Sequence, residues 1–119
     1  MNSQETSHVG DAGPGLSVRG EGDGRTLVLT GELDLATAPI LESVLDRHCG
    51  DRDRAGDVTL DLAALDFMDS TGIKLIIATA RRLEGRGCLI LRSPASPIQR
   101  VLDLVQIDRV PGVKVQSLR

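Results

Sequence analysis

The stretch DFMDSTGIKL, residues 66–75, decides how the chain folds. Before it, Val58, Leu60 and Leu62 alternate with Thr59 and Asp61, which sends aliphatic side chains to one face of a strand and polar ones to the other. After it, Ile73, Ile76, Ile77, Ala80 and Leu83 recur at helical spacing, and Gly85-Arg86-Gly87 closes the run. The ten residues are therefore a corner between a strand and a helix. The alternation in the strand predicts a sheet covered on one side only.

Working outward, Cys88-Leu89-Ile90-Leu91-Arg92-Ser93 reads as a further buried strand. Ser96-Pro97-Ile98-Gln99 then carries a capping-box pattern with proline at the first helical position, and Ile98, Val101, Leu102 and Val105 give the apolar face of the helix it opens. Gly112-Val113-Lys114-Val115-Gln116 alternates as a last strand. Upstream, Thr37 can cap a helix that has Pro39 in its first turn, Leu41, Val44, Leu45 and His48 along one face, and Gly50 at its close. Two short β-prone runs, Leu16–Gly20 and Arg25–Gly31, flank Glu21-Gly22-Asp23-Gly24 and predict a hairpin. The glycine spacing there has the look of a phosphate-binding loop, but it lies between two strands with no helix opening after it, so a plain turn is the better reading.

The order is thus β-β-α-β-α-β-α-β. Strand–helix–strand units need parallel pairing through right-handed crossovers, so the fold class is α/β: one mixed sheet with an initial antiparallel hairpin and helices mainly on one face. Residues 1–15 are rich in Gly, Ser, Asp and Pro with hardly a large apolar group, and are expected to form a disordered tail before a single domain spanning 16–119.

The bulk numbers narrow the function. A net charge of −3 leaves no basic face for nucleic acid, and a single aromatic residue, Phe67, leaves nothing for bases to stack on. Cys49 and Cys88 lack metal-ligand spacing and read as reduced core thiols. No leader and no run of the roughly 18 apolar residues needed for a membrane span is recognisable, which predicts a cytoplasmic protein. No metal and no cofactor is called for.

The corner itself is chemically dense. Asp69 or Ser70 can cap the following helix, worth about 1 kcal/mol. Capping does not explain Gly72 in the first turn, where glycine costs roughly 0.5–1 kcal/mol relative to alanine. Close approach of another molecule to the helix N-terminus is one sufficient reason. A catalytic role for Ser70 has little support: Gly-x-Ser-x-Gly is absent, His8 falls in the tail, and His48 would have to complete a triad alone. Asp66 and Asp69 sit beside a turn expected to be exposed, with no evident apolar pocket to suit acid–base work. The chain reads as a non-enzyme. A small serine hydrolase and a nucleotide-binding junction are the rival readings.

Three segments resemble the STAS-domain anti-sigma factor antagonists, bacterial partner-switching regulators. LTGELDLATAP (29–39) is similar to the family's first strand-to-helix junction, LDLAALDFMDSTGIKLI (60–76) to its strand followed by Phe-Met-Asp-Ser-Ser/Thr-Gly, and SPIQRVLDLVQIDRV (96–110) to its closing helix and turn. The likeness spans roughly residues 16–115 and implies a STAS-like fold. It implies that Ser70 is phosphorylated by a cognate anti-sigma factor that is also a serine kinase. The unmodified protein would bind that kinase and free a sigma factor, the phosphorylated form would let go, and a phosphatase would reset phospho-Ser70. The partner-binding surface falls on Asp34, Asp69, Ser70, Thr71, Gly72 and Lys74. Lys74 departs from the small residue usual in the family, and so obstructs a partner, pairs with an acidic one, or holds the phosphate back. Gln106 replaces a frequent helix-ending glycine. The alternative within the binding class is a constitutive STAS-like scaffold in a signalling assembly, without phosphorylation.

Overall fold

The computed structural model describes residues 10–13, 15–49 and 56–117. Its elements run β1 (Gly10–Gly13), β2 (Leu16–Gly20), β3 (Thr26–Leu33), α1 (Ala38–Cys49), β4 (Val58–Met68), α2 (Ser70–Leu83), β5 (Leu89–Arg92), α3 (Ser96–Leu104), a 3-10 turn at Ile107–Arg109, and β6 (Val113–Gln116). The strands form one sheet in the order β1-β2-β3-β4-β5-β6. The first two pairings are antiparallel and the remaining three parallel.

Because β3 to β6 are laid down in sequence and each parallel step crosses over with the same hand, all three helices are delivered to the same face. Side-chain burial agrees. Leu16, Val18, Leu27, Leu29, Leu60, Leu62, Leu89, Leu91 and Val113 are buried on that face and join Leu41, Val44 and Leu45 of α1, Ile73, Ile76, Ala80 and Leu83 of α2, and Ile98 and Leu102 of α3 in one core. The opposite face carries exposed Arg19, Thr30, Lys114 and Gln116. There Arg92 Nη2 donates to Asp61 Oδ2 at 2.8 Å and lies 3.4 Å from Glu21 Oε1. Burial alone would raise the Asp61 carboxyl, but the Arg92 hydrogen bond, the Ala63 N–H and the Arg92 charge together hold it below the usual carboxylate range.

The turn between β2 and β3 is built by Asp23. Its Oδ1 accepts from the N–H groups of Arg25 (2.9 Å) and Thr26 (3.0 Å), and its Oδ2 from the Thr26 hydroxyl (2.8 Å). These bonds make a closed Asx-type turn, and the phosphate-loop reading has no helix to serve it.

Three expectations change. Gly10–Gly13, assigned from sequence to the loose tail, form β1 by backbone pairing with Leu16–Arg19, which requires no large side chain. Residues 1–9, His8 among them, lie outside the described residues, as do Gly50 and the side chain of Cys49. The capping box at Ser96 is not formed: the Gln99 N–H bonds to the Ala95 carbonyl, so α3 starts one residue earlier, Ala95 is the N-cap without a side-chain bond, and Pro97 falls in the second position. The Gln99 side chain reaches Asp103 and Ser117 instead. Thr37, buried at the mouth of α1, bonds backwards to the Glu32 carbonyl (2.8 Å) rather than forwards into the helix.

Candidate functional site

The site is set by the pairing of β3 with β4. Their partner offset grows along the strands, from Val28↔Asp61 through Thr30↔Ala64 to Glu32↔Phe67, so β4 accommodates extra residues at two register shifts. The last rung is Leu33↔Met68. Asp34 and Asp69 therefore leave the sheet side by side at the carboxyl ends of neighbouring strands, which lie about 4.8 Å apart. The Asp69 N–H still bonds to the Leu33 carbonyl at 3.2 Å and ties the two corners together.

At the first corner, Gly31 has φ +110°, and an added Cβ would collide with the Gly15 carbonyl oxygen. That oxygen accepts from the Glu32 N–H at 2.7 Å. A side chain is excluded there by backbone, which explains the glycine of Gly31-Glu32-Leu33-Asp34. Asp34 then organises the entry to α1: its Oδ1 accepts from the N–H groups of Ala36 (3.0 Å) and Thr37 (3.1 Å), and its carbonyl accepts from Ala38 N–H at 2.8 Å. Its side chain is only half-buried, so it holds the turn and still faces solvent.

At the second corner the cap is Asp69, whose Oδ1 accepts from the Thr71 N–H at 2.9 Å. Ser70 is the first residue of α2 and is exposed; capping does not depend on its hydroxyl. Thr71 is half-buried, Asp66 and Lys74 are exposed, and Lys74 stands one turn after Ser70. Two apolar side chains that sequence patterning did not single out flank the pair of corners: Leu35 is 75% exposed and Phe67 48% exposed. Leu35 directly follows Asp34, and Phe67 stands within the 66–75 stretch itself.

Gly72 is a correction. It is buried, and a Cβ there would sit 2.7 Å from Met68 Cγ, 3.0 Å from Leu33 Cδ2 and 3.1 Å from Leu33 Cγ. The bare backbone admits the ends of β3 and β4 beneath the helix. The domain's own packing is enough to exclude a side chain without a visiting molecule, and Gly72 is buried beneath the corner.

Among the described residues the rival chemistry is not assembled. His48 sits ten residues beyond the start of α1, about 15 Å along the helix axis from the Asp34 corner. Its Nδ1 lies 3.0 Å from the Val44 carbonyl, which can only accept, so that nitrogen carries the proton and donates within its own helix. It lines a small cleft with Gly24, Arg25 and Val58, at the opposite end of β4 from Ser70. Among the described residues there is no group of three or more His, Cys, Asp or Glu side chains placed to hold a metal, and no helix long and apolar enough to cross a membrane. Cys88 is a half-buried free thiol.

Comparison with known proteins agrees with this fold. The chain is 29% identical over 83 residues to the anti-sigma-F factor antagonist RsfB of Mycobacterium tuberculosis, a match covering 70% of this chain and 66% of that relative's length. Among solved structures, an anti-sigma factor antagonist from Mycobacterium paratuberculosis superposes with a TM-score of 0.62 at 24% identity, covering 91% of this chain and 84% of the other. The anti-sigma factor antagonist SpoIIAA in its unphosphorylated form gives a TM-score of 0.65 at 20% identity, covering 87% and 89%. These two likenesses carry the fold. With the STAS domain family model matching residues 16–117, nearly the whole of the sheet and all three helices, this chain belongs to the STAS domain family.

Proposed function

We propose that this protein is an anti-sigma factor antagonist of the bacterial cytoplasm, switched at Ser70. Unmodified, it binds an anti-sigma factor that is also a serine kinase and so frees a sigma factor. The kinase then moves the γ-phosphoryl group of ATP to Ser70 Oγ, with loss of the hydroxyl proton and departure of ADP, and the complex separates. A phosphatase restores the hydroxyl.

One observation carries this reading. Ser70 is exposed at the first position of α2 while Asp69 alone supplies the cap, so its hydroxyl is open to an enzyme and can be modified without loss of the cap. The surroundings suit a docking surface: Leu35 and Phe67 supply exposed apolar area, and Asp34, Asp66 and Asp69 supply charge. Phosphate adds about −1.5 to −2 charges beside those carboxylates. Like charges brought together in an interface cost several kcal/mol, and a loss of ~4 kcal/mol weakens binding about a thousandfold. The helix N-terminus beneath accepts negative charge, so the domain remains folded.

The test is incubation with ATP and the histidine-kinase-like ATPases encoded in the same genome, followed by peptide mass spectrometry. Phosphate is expected on Ser70, and Ser70→Ala is expected to bind the same ATPase without being released. A constitutive scaffold would remain unmodified by every such kinase, which would overturn the reading.

A further inference from the structure

Lys74 is the part of this corner that the switch does not yet use. It stands four residues after Ser70 on α2, so both side chains rise from one helix face, with Cβ atoms about 5–6 Å apart. Both are exposed. The positions three and four residues away from Lys74 on either side are Ser70, Thr71, Ile77 and Ala78, none of them a carboxylate. Lys74 is also the single charged residue in the first two turns of α2. Among the described residues it forms no ion pair. An exposed ammonium thus stands over a hydroxyl with no acid of its own.

We propose that Lys74 is the built-in counter-ion for a phosphate on Ser70, an inference that rests on the reading of Ser70 as the modified residue. An anionic group followed by lysine at i+4 is the favourable order along a helix, because it also follows the direction of the dipole. The ammonium carries three donors and the phosphate offers several acceptor oxygens, so the pair closes one turn of α2. Pairing draws the phosphate along the helix, toward Lys74 and away from the capping Asp69. It also removes the corner's free cation at the moment the phosphate arrives, so a partner's acidic group loses its attraction while its other charges meet repulsion.

The test installs phosphoserine at position 70 during translation, which makes it independent of any kinase. The second ionisation of the phosphate is then followed by 31P NMR in the otherwise native chain, in Lys74→Gln and in Lys74→Arg. Asp34, Asp66 and Asp69 act alike in all three, so the difference reports residue 74. The native chain is expected to ionise about 0.3 pH units lower than Lys74→Gln, the shift that corresponds to one exposed i, i+4 ion pair. Lys74→Arg is expected to retain the shift, and 1 M salt to abolish it. Identical titrations in the native and Gln chains would overturn the counter-ion, whatever kinases do. Failure of every kinase to modify Ser70 would sink the proposed function and leave this titration standing as chemistry of the corner.

Discussion

Replacing Gly72 by alanine separates two reasons for having a glycine in the first turn of α2. On helix propensity alone the substitution stabilises by roughly 0.5–1 kcal/mol, since glycine loses more backbone entropy on folding. Packing opposes it. The new methyl would lie 2.7 Å from Met68 Cγ and 3.0 Å from Leu33 Cδ2, where carbon atoms prefer about 3.5–4.0 Å. Leu33 is fully buried and Met68 nearly so, and the Met68 contact falls close to its backbone, so neither side chain can swing clear cheaply. Overpacking of this kind costs typically 1–3 kcal/mol, and the middle of that range less the propensity gain leaves a net loss of about 1 kcal/mol. With a urea dependence of about 1–3 kcal/mol per molar, the unfolding midpoint followed by circular dichroism should fall by roughly 0.5–1 M at unchanged slope. A midpoint equal to or above that of the native chain would refute internal packing as the reason for Gly72.

Gln106 has φ 54° and ψ 49°, a left-handed conformation that costs an L-residue about 1–2 kcal/mol, so Gln106→Gly is expected to raise stability by roughly 0.5–1 kcal/mol in the same urea assay. Asp61 is held below the usual carboxylate range, so its contribution is complete above the unfolded pKa of about 3.9 and is lost as pH falls through the lower folded value. The stability gap between the native chain and Asp61→Asn, of at most about 1 kcal/mol for a partly exposed pair, should therefore be present at pH 7 and close below about pH 4. Asp34→Asn keeps an oxygen for the Ala36 and Thr37 amides while removing the charge. It is expected to unfold within about 0.5 kcal/mol of the native chain yet bind the anti-sigma factor at least roughly tenfold more weakly by calorimetry, the scale of one lost charged contact.

Sequence periodicity located β2 to β6 and all three helices because each buries one face of a regular element, and alternation through Val58–Leu62 foretold the one-sided sheet. It also placed the strand-to-helix corner at Asp69-Ser70, since small polar residues before an apolar helical run are N-cap signals. What it missed is non-local. β1 pairs through backbone groups of Gly10–Gly13 and has no side-chain pattern to detect. The register shifts that align Asp34 with Asp69 depend on β3 and β4 together. Gly72 looked functional because Leu33, nearly forty positions earlier, is invisible to any local window. The N-cap of α3 at Ala95 turned on a single backbone hydrogen bond that Ser96 and Gln99 mimicked in sequence.

The most direct measurement is the affinity of the cognate anti-sigma factor for two forms of this protein, one with serine and one with phosphoserine at position 70, by isothermal titration calorimetry. The account predicts that the serine form binds and that the phosphoserine form, still folded by circular dichroism, binds about a thousandfold more weakly. Equal affinities for the two forms would contradict it.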